Sequence, residues 1–123
     1  MRLVHVAFGW SIVVAFGVLW PWGLGAWLIR RGPGRPVWGV VAFVQVMIIV
    51  QGLAGLVLLI LGRSATPLHY VYGVVFPLLL LLVAHVVARD ERIAHRPWLP
   101  FTAAAFFCFG LTLRALMTGF GLP

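Results

Sequence analysis

The chain reads as an all-α membrane protein, a bundle of four transmembrane helices, on three observations. Hydrophobic residues fill 63% of its 123 positions and charged residues only 9%, giving a mean hydropathy of +1.12. The apolar residues gather in four blocks, each longer than the roughly 20 residues a helix needs to cross about 30 Å of hydrocarbon. The blocks lack strand-like alternation, and lipid admits only helices or closed barrels, so they read as helices. A water-soluble domain of this length lacks the polar surface to cover so much apolar side chain.

The first block runs from Leu3 to Ile29 and stops at Arg30, Arg31, Gly32, Pro33 and Gly34. It is too long for the apolar core of a signal peptide, lacks a small-x-small cleavage site and ends in arginines. It is therefore read as a retained span. Within it, "WPWG" at 20–23 predicts a kink with its indoles turned to lipid or to a partner. The second block, Val37 to Leu61, is closed by "GRSATP"; the third, Leu68 to Ala88, is followed by "RDERIAHRP"; the fourth is Trp98 to Phe120. Their short connectors carry the Gly, Pro and Arg of turns at a membrane surface. Residues 1–123 are expected to form one integral membrane domain.

Arginine placement gives the orientation. The loops after spans one and three hold Arg30, Arg31, Arg35, Arg89, Arg92 and Arg96, against Arg2 and Arg63 on the other side and Arg114 within span four. Positive loops stay in the cytoplasm, so both termini are expected outside a bacterial or archaeal cytoplasmic membrane. The net charge of +7 is then a topology and headgroup signal. A basic-aromatic stripe on a soluble surface is missing, so nucleic acid is not expected as a partner.

Chemistry removes several functions. A single cysteine, Cys108, allows no internal thiol–disulfide pair. The only carboxylates, Asp90 and Glu91, lie in a loop, which argues against a proton-coupled exporter, a hydrolase, and a calcium or magnesium cage.

What remains is four histidines, two glutamines and one intramembrane arginine. His5 and His69 head two parallel spans and so share a depth, whereas His85 lies on the order of 24 Å deeper, with His95 on the same side. The two outer histidines share a local pattern, His5-Val-Ala-Phe-Gly9 and His69-Tyr-Val-Tyr-Gly73. In each, a glycine one turn further in leaves room for a flat body against the helix. Two imidazoles at one depth, each above a glycine gap, point to axial ligation of a b-type haem between spans one and three. The competing reading gives His5 a headgroup contact and His69 a capping role; His85 and His95 read as interfacial.

Arg114 lies toward the outer end of span four, with no acidic side chain at its depth. A haem propionate would pair with it in two-pronged geometry; the alternative is snorkelling to outer phosphates. Gln45 and Gln51, six residues apart, do not share a face closely; each reads as an interhelical hydrogen bond or, more sharply, as a quinone contact. Trp27, Trp38 and Trp98 fit an aromatic belt near the cytoplasmic ends.

The arrangement of His5, His69 and Arg114 is similar to that of small four-helix b-type cytochromes and haem-bearing anchor subunits of respiratory complexes. The expected function is a small membrane subunit that holds haem b for electron transfer, with quinone linkage, inside a larger membrane complex or a homo-oligomer. A cofactor-free accessory subunit of a respiratory or photosynthetic complex is the alternative, and a small channel or transporter the third. A subunit role is expected ahead of a stand-alone enzyme.

Overall fold

The computed structural model describes residues 2–62 and 67–119. They form four helices: α1 (Arg2–Leu28), α2 (Pro36–Ile60), α3 (Pro67–Val87) and α4 (Trp98–Gly119). Each is long and apolar enough to span a membrane, and no strand occurs among the described residues. The predicted ends of the blocks fall within one residue of these helices, except that Phe120 lies outside the described residues. Arg63 and the side chain of Arg2, which enter the arginine comparison, also lie outside them.

Local chemistry sets the helix ends. Pro36 starts α2 in its first turn, where a missing N–H costs nothing. Gly62 ends the same helix in the left-handed region at φ 85°, its N–H bonded to the Leu59 carbonyl at 3.0 Å. Inside α3 the chain makes a π turn over Val71–Val75, and the N–H of Phe76 reaches back five residues to the Val71 carbonyl. Pro77 follows at once. It offers no N–H and crowds the carbonyl one turn earlier, which the wider turn relieves.

The helices pack in the order α2, α1, α4, α3. α1 lies chiefly against α4 and then α2, and α3 lies against α4, while α2 and α3 barely meet. A hydrogen bond between Nε2 of His85 and Oε1 of Gln45, at 2.6 Å, crosses that loose seam. Only 17% to 39% of the most apolar window of each helix is buried, so most apolar side chains face outward. That is the pattern expected of helices able to span a membrane.

The two ends of the bundle differ. The starts of α1 and α3 and the ends of α2 and α4 share one end, called here the histidine end. The α1–α2 and α3–α4 connectors share the other, the arginine end. The core fills the middle and the arginine end, with Phe16, Leu19, Val37, Val44, Ala105 and Cys108 among its buried members. There α1 and α4 approach so closely that a Cβ on Gly23 would overlap the Thr102 side chain. The sequence expectation for "WPWG" is corrected in one respect. α1 runs on through Pro21, and Trp20 and Trp22 pack against the core, with Trp20 edge-on to Phe106 at 5.2 Å.

Candidate functional site

At the histidine end the bundle opens into a cavity of about 750 Å³, lined by all four helices. That lies within the range of small-molecule and cofactor pockets, roughly 300–1,000 Å³. Helical spacing explains who lines it. His5, Gly9 and Ile12 continue the stripe of α1 that carries buried Phe16 and Leu19 deeper in the bundle. Gln51, Gly55, Leu58 and Gly62 do the same for α2, and Thr112, Ala115, Leu116 and Gly119 for α4. His69 and Gly73 enter from α3, with Gly73 inside the π turn.

His5 and His69 meet here. Their ring centroids are 6.0 Å apart at an interplanar angle of 63°. Two imidazoles sharing one metal ion, at about 2 Å per bond, would place their ring centres roughly 6 Å apart. Nδ1 of His69 lies 2.7 Å from the Ala115 carbonyl. A carbonyl only accepts, so Nδ1 carries a proton, which in a neutral ring leaves the lone pair on Nε2. A carbonyl behind the ring is the usual support of a metal-binding histidine.

His5 is held differently. Its backbone carbonyl accepts the side-chain N–H of Gln51 at 2.6 Å, while its own Nδ1 and Oε1 of Gln51 are buried without a partner in the protein. Glycine shapes the walls. A Cβ on Gly119 would lie 2.8 Å from Cε1 of His69, and one on Gly55 3.4 Å from Cε1 of His5. No group of three or more His, Cys, Asp or Glu suited to a metal ion occurs among the described residues. Two imidazoles are too few to fix a bare ion, so a metal held here would bring ligands of its own.

Of the residues singled out in the sequence, the structure brings together His5, His69, Gly9 and Gly73. It does not bring Arg114 to the cavity. At 100° per residue the cavity face of α4 passes through Thr112, Ala115 and Gly119, whereas Arg114 follows Phe107 and Gly110, both exposed. Arg114 stands between Thr112 and Ala115 along the helix, but rotation turns it away. His85 bonds to Gln45 and stacks edge-on to Phe101 at 4.8 Å, and His95 lies at the arginine end. These two do not form a second imidazole pair.

Gln51 is the site residue that the sequence reading undervalued, although its seven- and eleven-residue spacing to Leu58 and Gly62 marks the cavity face. The Ala115 carbonyl, a backbone group, leaves no mark in the sequence at all. The chain matches no model of a known protein family, no curated protein and no solved structure.

Proposed function

We propose that the protein is a small integral membrane subunit that binds one b-type haem through His5 and His69 and serves electron transfer within a larger membrane complex. One observation carries the reading: imidazoles from α1 and α3 lie 6.0 Å apart, edge-on, in the lining of a cofactor-sized cavity, one of them backed by a carbonyl.

The bound haem would supply one-electron chemistry. The chain's own part is to hold and tune it. The Ala115 carbonyl orients His69 and raises its basicity as a ligand. With Nε2 of His5 on the metal, its Nδ1 is a donor, and Oε1 of Gln51 is an acceptor on the side chain already tied to that residue. Gly9 and Gly73 take up neighbouring side chains, Gln51 with Leu116 and Ala115, so they serve close helix packing around the site and not a gap for a flat body. The apolar walls keep the site at low dielectric, a lever on potential. Each amide nitrogen of Gln45 and Gln51 gives one of its two N–H groups to a carbonyl, of Val41 and His5, which leaves a second N–H for a quinone oxygen.

The membrane setting belongs to the same proposal: insertion in a bacterial or archaeal cytoplasmic membrane, with both termini outside. An absorption spectrum of the purified protein tests the haem. The reduced protein should show the sharp alpha band of bis-imidazole iron. His5→Ala or His69→Ala should abolish or strongly weaken it, and His95→Ala should leave it intact. A protein from haem-replete membranes without a Soret band would instead favour the cofactor-free accessory subunit.

A further inference from the structure

At the arginine end lies a second, smaller cavity of about 130 Å³, bounded by Arg30, Arg31, His95, Arg96, Trp27 and Trp98. Its titratable side chains come from two separate stretches of chain. Arg30 and Arg31 follow α1, whereas His95 and Arg96 precede α4. Folding therefore gathers like charges that Coulomb repulsion would keep apart. The one ion pair among the described residues is elsewhere, Arg92 with Asp90 at 3.5 Å. The three arginines that bound the cavity thus have no carboxylate partner among the described residues.

The backbone provides a second, independent observation. α1 closes in a Schellman motif, with the N–H of Arg31 on the Ala26 carbonyl at 3.0 Å and that of Arg30 on Trp27 at 3.1 Å. The residue in the left-handed position is Arg30, at φ 59°. Glycine takes this position in α2, and any other L-residue there costs on the order of 1–2 kcal/mol. Strain of this kind is kept where a side chain has a task.

We propose that this cavity binds the phosphate group of an anionic membrane lipid. Guanidinium forks match phosphate oxygens in pairs, and the cavity is sized for a phosphate. Its place at the ends of helices able to span a membrane, rimmed by two indoles, favours a lipid over a free anion. This proposal does not depend on the haem reading.

Native mass spectrometry of the detergent-solubilised protein tests it, with titration of dioleoylphosphatidylglycerol, dioleoylphosphatidylcholine and inorganic phosphate. Three arginines near one phosphate should make the wild type retain a phosphatidylglycerol at about tenfold lower concentration than phosphatidylcholine. Arg30→Gly suits the left-handed backbone and relieves its cost, so it should keep or raise the melting temperature while losing that preference. The pair Arg31→Gln with Arg96→Gln should lose it too, whereas Arg92→Gln, outside the cavity, should keep it. Undiminished preference in both cavity variants, or equal loss in Arg92→Gln, would overturn the proposal. Displacement of the lipid by millimolar inorganic phosphate would overturn the lipid as source and assign the cavity to a free anion.

Discussion

Gln51 of α2 donates its side-chain amide to the backbone carbonyl of His5 in α1, 2.6 Å away and 46 residues earlier in the chain. The bond ties the first turn of α1 to its neighbour at the depth where the two imidazoles meet. Hydrogen bonds between membrane helices are worth roughly 0.6–2 kcal/mol. Gln51→Leu, close to isosteric, should therefore weaken haem retention by about 3- to 30-fold while leaving the shape of the alpha band unchanged. Haem titration of the two apoproteins measures it. Equal affinity would remove Gln51 from the support of His5.

The glycine walls make a paired prediction. Gly119→Ala puts a methyl group 2.8 Å from Cε1 of His69, so the ring must shift and its bond to Ala115 must bend. Gly110→Ala, on the outward face of the same helix, meets nothing within 4 Å. The first should lower haem occupancy severalfold, and the second should leave it unchanged or raise the melting temperature slightly, as alanine favours helix over glycine by about 1 kcal/mol. The same purified proteins, compared by pyridine haemochrome content and thermal melts, give both readouts. Full occupancy in Gly119→Ala would mean that this ring position does not matter for binding.

Arg114 faces the side of α4 that carries Phe107 and Gly110, away from the cavity. Arg114→Leu should accordingly leave haem content and midpoint potential unchanged. A redox titration of wild type and variant side by side decides the matter. Loss of a positive charge beside the haem would favour the more positive, oxidised centre and lower the midpoint. A clear fall would return Arg114 to the site as a propionate partner.

The connectors after α1 and α3 sit at one end of the bundle, where Arg30, Arg31, His95 and Arg96 line one cavity. Reporter fusions after Gly34 and after Glu91 should both report the cytoplasm. If the two disagreed, the four-span topology would be wrong. If both reported the outer side, the histidine end would face the cytoplasm.

The helices and their ends are legible in the sequence because long apolar runs and Gly, Pro and Arg punctuation are local signals. The matched depth of His5 and His69 is legible from rise per residue alone. Rotation is harder. Counting four and seven residues back from Arg114 reaches Gly110 and Phe107, yet neither residue type says by itself that this face looks outward. Gln45 and Gln51 differ in face as their spacing implies, but which neighbour each finds depends on the packing order. Gln45 reaches His85 of α3 across the loose seam, and Gln51 reaches α1. The π turn is half visible: Pro77 announces a disturbed backbone without saying how the chain absorbs it.

That turn lets α3 carry a spare residue without losing phase. A π turn holds one residue more than an α-helix of the same length needs. Deleting Val74 or Val75 should therefore restore an uninterrupted α-helix and leave His69 in its present phase relative to the buried Pro77–Leu81–Ala84 stripe. A residue added where no widened turn absorbs it would instead swing His69 by about 100° and part it from His5. The imidazole pair is thus insulated against a change of chain length where the backbone of α3 is already widened.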